Sequence, residues 1–576
     1  MSEHDLVIRS GTVIDGTGAP RRTADVAISD GVVTGVGTVS GNGTREIDAH
    51  GALVTPGFVD IHCHYDGQAT WDERLQPSSW HGVTTVVMGN CGVGFAPVHD
   101  HDHERLIQLM EGVEDIPGAA LSEGLSWGWS SFDGFLDAVE SRPHDIDVAA
   151  QVPHAALRLH VMGERGADHE EPATPDEIAE MGRIAAAGIE AGALGFTTSR
   201  TRNHRTSTGA FTPTLTAERA ELVGIAEAIG TTGTGVLQMV GDFIELDHEF
   251  ETLVEMMRIS NRPLSFTVAQ SPVAPGSHRE LLTRIEQANA AGFTMRGQVA
   301  PRAIGLLFGL DCTLNPFVMN PAWGEIAWLS LDEKVAHMSD PEFKRRVLDA
   351  HAAEKAKDKV GGGVIGVFDR MFPLTDPPDY EPDESTSVAA LAARDGVTPE
   401  EWAYDFLLGD GGREMFYVPF LNFAEGNLDA TREMLAHPHT VPGLSDGGAH
   451  VGTICDGSFP TFLLTHWGRD RSRGELFDLE FLVNRHTKAT ADTVGLCDRG
   501  VLAPGYRADV NVIDFDRLSI HRPEMHHDLP AGGRRVLQRA SGYLHTLCGG
   551  VETYADGVAT GELPGRLVRG AQPAPT

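Results

Sequence analysis

The chain has 576 residues, 41% of them hydrophobic, and a formal net charge of −37 at pH 7. That length exceeds one compact core, so a large domain with an accessory domain is expected. The charge argues against nucleic acid or an anionic membrane surface as a partner, and no apolar run of about 18 residues suggests a membrane span. The opening Met1-Ser2-Glu3-His4-Asp5 is acidic and leads straight into a strand, unlike a secretory signal. The cysteines are scattered without CxxC spacing, which suggests free thiols in a reducing compartment, so a cytoplasmic location is expected.

Residues 5–54 read as short strands: Leu6–Arg9, Thr12–Gly16, Ala27–Ile28 and Val32–Val33, with Gly11, Gly16, Gly18, Gly31 and Gly35 as punctuation. Between residues 56 and 499 the period changes. Phe58–Ile61, Val83–Met88 and Val148–Val152 read as strands. Thr174-Pro175-Asp176-Glu177 is a capping box with proline at N1, opening a helix to about Ala191 that Gly192 stops. Strand Ala193–Ser199 follows, then a helix from a Thr216 cap to about Ile229 and strand Val236–Val240. A helix at about 246–260 precedes strand Leu264–Val268, and a helix from Ser277 to about Ala291 precedes strand Phe293–Val299. Val441–Ser445 is an eighth strand. Strand starts recur roughly every thirty to forty residues, the spacing of βα units with parallel strands, and eight of them predict a TIM barrel. Residues from about 301 to 439, with helices at 341–356 and 399–407, read as an insertion over the C-terminal face, where a lid would sit. From about Gly505 the β pattern returns, at Asp509–Asp514 and Val551–Gly557. Neither end alone has enough strands to bury a core, so residues 1–55 and 500–576 are expected to form one β-sandwich domain.

Active sites of such barrels lie at the C-terminal ends of the strands. The first strand ends in Asp60-Ile61-His62-Cys63-His64. In an extended strand, side chains two apart point the same way. Two imidazoles on one side suit zinc or its first-row neighbours. Asn90 and Cys91 follow the second strand and His154 the third. Gln238 and Asp242 fall at the fifth, Gln270 at the sixth, Gln298 and Arg302 at the seventh. Asp446 closes the eighth in Ser445-Asp446-Gly447. Strands one and eight adjoin when a barrel closes, so His62, His64 and Asp446 are expected to meet. Two imidazoles and a carboxylate leave a position for water, whose pKa zinc lowers to about 7. A carboxylate beside that water can carry its proton to a leaving nitrogen. Hydrolysis of a carbonyl compound is therefore expected. Cys91, His154 and His450 also admit plain packing roles, and the run His99–His103 with its acids reads as a solvated loop or helix start. Arg200, Arg202 and Arg205, with His204, follow the fourth strand. Arg200 and Arg202, like Arg302, are candidates to clamp a substrate carboxylate, with an ion-paired loop as the alternative.

Four pieces resemble the amidohydrolase superfamily, specifically its D-aminoacylase (N-acyl-D-amino-acid deacylase) group. They are Pro56-Gly57-Phe58-Val59-Asp60-Ile61-His62-Cys63-His64, Gly82–Gly92 with its narrower Gly89-Asn90-Cys91-Gly92, Ser445-Asp446-Gly447, and Thr560–Arg566. The likeness extends through Leu502–Val510. It implies a β-sandwich built from both termini, a (β/α)8 barrel, metal ligands at His62, His64, Cys91 and Asp446, and Asp446 as general acid/base. Further histidine ligands usual at strands five and six are replaced by Gln238 and Gln270. Lys334 is the first lysine in the chain, so strand four cannot supply the carboxylated lysine of hydantoinase-like members. One zinc ion is thus the expected cofactor. The foremost functional expectation is a metal-dependent hydrolase that deacylates N-acyl-(D-)amino acids, with a small-molecule amide as partner. A cyclic or natural-product amide, or a non-catalytic binding role on a degenerate barrel, are the alternatives.

Overall fold

In the computed structural model, which describes residues 3–351 and 365–576, the two ends of the chain share one sheet. Five strands within residues 4–56 and four within 510–559 make up its nine strands. The seam is antiparallel, with Val510 opposite Pro56 and Ile513 opposite Leu53. Leu6, Ile8, Val26, Val54, Val510 and Leu547 share its core. The strands are longer than the sequence reading gives. His4–Val13 runs unbroken through Gly11, because that glycine serves close packing rather than a turn: a Cβ there would lie 2.4 Å from Val54 Cγ2.

The rest is mixed α/β. Eight parallel strands follow in chain order: β1 (Phe58–Asp60), β2 (Val83–Met88), β3 (Asp147–Ala150, continued by Val152–Pro153), β4 (Gly195–Arg200), β5 (Val236–Gly241), β6 (Leu264–Thr267), β7 (Met295–Val299) and β8 (Thr440–Pro442). β1, β2 and β3 pair in sequence, and Val152–Pro153 pairs with β4. β4 to β8 then pair in sequence. Beyond the ends of β8 and β1, His64 N donates to Gly447 O at 2.8 Å and Asp446 N to His62 O at 3.1 Å. The Thr174 capping box is present in both halves. Thr216 caps nothing: Glu218 precedes the helix Arg219–Gly230, and the Thr216 hydroxyl donates to His169 O instead.

Between β7 and β8 the chain builds a small antiparallel sheet from Ile304–Gly309, Phe372–Pro373 and Met415–Leu421. It carries its own core, including Phe308, Trp323, Tyr404 and Phe416. Helix Pro399–Leu407 matches the sequence reading, and Pro341–His351 matches the start of the other, whose remainder lies outside the described residues. At the base of β3, Asp147 is fully buried and meets Arg499 and Arg507 at 2.8 Å each. It also accepts from Arg566 N at 3.0 Å, joining β3 to the C-terminal segment. All six cysteines are free. Among the described residues no helix is long and apolar enough to cross a membrane.

Candidate metal centre

Three chain segments meet beyond the ends of β1, β2 and β8. β1 stops at Asp60 because His62 N turns back onto Asp60 Oδ1 at 3.1 Å, an Asx turn. His62 and His64 therefore project from the turn after the strand, not from extended backbone as the sequence reading has it. Their rings still share a side, with centroids 5.7 Å apart. His62, His64 and Cys91 each offer a ligand atom, all within 4.8 Å of one another and buried. Asp446 Oδ1 faces both imidazoles, 3.5 Å from His62 Nε2 and 3.7 Å from His64 Nε2.

The orientation of His62 follows from its neighbours. Gln298 on β7 donates its amide nitrogen to Ser265 Oγ at 2.9 Å, so its oxygen faces His62 Nδ1 at 2.7 Å. Nδ1 carries the proton, and Nε2 keeps a lone pair toward Cys91 Sγ, 3.3 Å away. Burial pushes the His62 pKa down to about 4, so the ring is neutral and able to ligate near pH 7. Burial, with Asp456 and Asp60 nearby, pushes the Asp446 carboxyl well above its ordinary range.

Cys91 is placed by the turn after β2. Asn90 Nδ2 donates to Val87 O at 2.7 Å and Cys63 O at 3.1 Å, and Gln151 holds the Asn90 oxygen at 3.1 Å. A Cβ at Gly89, whose φ is +83°, would sit 2.2 Å from Gln151 O, so this close approach needs glycine. Cys91 (φ 54°), Leu444 (φ 59°), Asp446 (φ 47°) and His450 (φ 48°) all adopt left-handed backbone, costly for residues with a Cβ and concentrated here.

Three more side chains reach this place than the sequence reading assigned. Glu114, the last residue of helix His103–Glu114, is 1% exposed and lies 3.2 Å from His64 Nδ1. His450 Nε2 is 3.8 Å from Glu114 and 4.0 Å from Asp446. His204, held by Ser199 Oγ at 3.1 Å, has its pKa pushed down to about 3 by burial, with His450 and His62 close by adding to the shift. From the loop after β4 it is thus His204 that faces the centre. Arg200 and Arg202 do not: the Arg200 guanidinium donates to Ala217 O at 2.5 Å, while Arg202 is exposed and donates its backbone N to Asp242 at 2.9 Å. Arg302 is buried, paired with Asp456 at 2.8 Å and stacked 3.8 Å over Tyr380, with Nε and Nη1 unpartnered.

Gln270 is turned away from ligation. Its oxygen accepts from Ala424 N at 3.1 Å and its backbone N donates to Asn422 Oδ1 at 2.7 Å, tethering the segment inserted before β8. Gln238, in register between Thr197 and Ser265, has both amide atoms buried without a protein partner. His154 is a structural residue, paired with Glu221 at 2.8 Å and Thr198 at 2.9 Å. The His99–His103 run starts a helix, with His99 stacked on His160.

The sequence model of the amidohydrolase family matches residues 45–557. D-aminoacylase of Alcaligenes xylosoxydans xylosoxydans is 27% identical over 575 residues, covering 98% of this chain and 97% of its own. N-acyl-D-glutamate deacylase of the same organism is 30% identical over 528 residues, covering 89% of this chain and 88% of its own. A solved structure concerned with the binuclear metal center of D-aminoacylase superposes with a TM-score of 0.65 at 25% identity, over 98% of this chain and 100% of its own. With a family match across almost the whole chain and the residues of three of the four family motifs gathered at one set of strand ends, this protein is an amidohydrolase of the D-aminoacylase group.

Proposed function

We propose that this enzyme deacylates N-acyl-(D-)amino acids at a centre holding one zinc ion between His62, His64, Cys91 and Asp446. The observation that carries the reading is the convergence of two neutral imidazoles and a thiol within 4.8 Å, faced by the Asp446 carboxylate. The donor set fits a divalent ion: nitrogen and sulfur suit zinc, and among the described residues Asp446 Oδ1 is buried without a hydrogen-bond partner. When bound, the ion acidifies water and polarises a carbonyl oxygen. Asp446 takes the proton of the attacking water and gives it to the leaving nitrogen. The unpartnered Nε and Nη1 of Arg302 are the proposed contact for a substrate carboxylate.

A count of one ion is favoured because Gln270 is committed to the loop at 422–424 and amides ligate zinc poorly. The solved D-aminoacylase relative is described as having one-metal activation and second-metal attenuation. The architectural part of the proposal is a (β/α)8 barrel at 56–499 with residues 301–439 inserted as a lid. Residues 1–55 and 500–576 form the β-sandwich domain. The parallel order of β1 to β8 and the hydrogen bonds between the segments after β8 and β1 support that closure.

Metal analysis and a substrate panel test the function. The purified protein is expected to hold about one zinc per chain and to hydrolyse N-acetyl-D-amino acids faster than their L-forms or hydantoins. Chelation is expected to abolish turnover, and zinc to restore it. A protein that binds no metal, or that turns over only cyclic amides, would overturn the proposal.

A further inference from the structure

Glu114 sits where stability disfavours it. It ends a helix, beside the negative pole of the macrodipole, and is 1% exposed. Among the described residues neither carboxyl oxygen has a hydrogen-bond partner, and an unsatisfied buried polar group is costly. The groups in ion-pair reach are two imidazoles, His64 Nδ1 at 3.2 Å from Oε1 and His450 Nε2 at 3.8 Å from Oε2. Glu114 also fixes the neighbouring loop through its backbone, since Val451 N donates to Glu114 O at 3.3 Å. His62 has a neutral partner in Gln298. Among the described residues, the acidic group in reach of His64 Nδ1 is Glu114.

We propose that Glu114 is a positioning residue of the centre, whose carboxylate holds the Nδ1–H of His64 and leaves Nε2 directed at Asp446. A metal-ligating histidine ordinarily donates its other nitrogen to such a group, which fixes the tautomer and raises the basicity of the ligating nitrogen. The same carboxylate holds the imidazole of His450 at the rim of the site. This inference rests on the metal-centre reading above, and the experiment separates the two.

Wild type, Glu114→Met and Glu114→Gln would be stripped with chelator and compared. Methionine keeps the volume and removes the acceptor, whereas glutamine keeps an acceptor and removes the charge. Zinc affinity by chelator competition is expected to fall about 10–100-fold in Glu114→Met and by less in Glu114→Gln. The visible spectrum of the cobalt-substituted protein is expected to change in both. The Tm of the stripped Glu114→Met protein is expected to hold or rise, because a buried carboxyl without a hydrogen-bond partner has been removed. Wild type binding zinc while Glu114→Met binds it equally well, within twofold, overturns the role of Glu114 alone. Wild type binding no divalent ion overturns the metal reading and this inference together.

Discussion

Asp446→Asn is expected to lower kcat/KM for N-acyl amino acids by about 10²–10⁴-fold, the range for loss of a general acid–base. The substitution is chosen to remove the proton function and little else. Asparagine matches aspartate in size and tolerates the left-handed backbone at φ 47° that this position adopts. Asp446 N still donates to His62 O, so the link between the segments after β8 and β1 is kept. The amide oxygen can still face His62 Nε2 and His64 Nε2, so the imidazoles stay in place. An amide cannot take a proton from water and return it to nitrogen, so the loss is expected in kcat more than in KM. Kinetics alongside zinc content and Tm decide the matter. Activity above about a tenth of wild type, with zinc retained, would assign the proton to another group, and His450 or His204 would be next to test.

The largest expected stability loss lies far from the reaction. Asp147→Ala is expected to destabilise the protein by about 3–5 kcal/mol, the cost of leaving buried partners uncompensated. Asp147 and Arg499 are fully buried and the side chain of Arg507 is 12% exposed, so solvent cannot take over the lost contacts. Removing the carboxylate takes a buried partner from two guanidinium groups, leaving Arg499 with Asp498 and Arg507 with Asp509, and strands the backbone N of Arg566. Arg183→Ala is the control: its pair with Glu180 is solvent-exposed, and its loss is expected to change stability by about 0.5 kcal/mol or less. Denaturant midpoints of the two variants make the comparison. Equal midpoints would show that the Asp147 cluster contributes nothing to holding the C-terminal segment on β3.

Much of this was legible because it is written locally. The alternation of helix and strand periods located all eight parallel strands, most with an end displaced by one to three residues. His62, His64, Cys91 and Asp446 stood out because each follows an apolar strand, and Cys91 and Asp446 also lie beside glycines. Glu114 could not stand out. In the run Met110-Glu111-Gly112-Val113-Glu114 it looks like any acid on an amphipathic helix, and only the packing of that helix against the turn after β8 buries it. His204 was hidden among arginines, whose charge drew the functional reading to other side chains of the same loop. Gln298 was noted at its strand end, but its task depends on Ser265 of the adjoining strand β6 taking its amide nitrogen, a contact between residues distant in sequence. Residues that bind are announced by their own turns, whereas those that hold the binders are set by neighbours that a linear reading does not see.

The nine-stranded sheet also sets a timetable for biosynthesis. Its first five strands leave the ribosome early, but Leu53–Pro56 pairs with Val510–Ile513, made after nearly all the intervening chain. At roughly 5–20 residues per second, the early strands wait tens of seconds for their partners. Arg499 and Arg507, which neutralise Asp147, arrive in the same late stretch. During that interval the open edge at Leu53–Pro56 is a template for wrong pairing, so the nascent chain needs shielding until its last strands emerge. A chain cut short before residue 510 therefore lacks the four strands that complete this sheet.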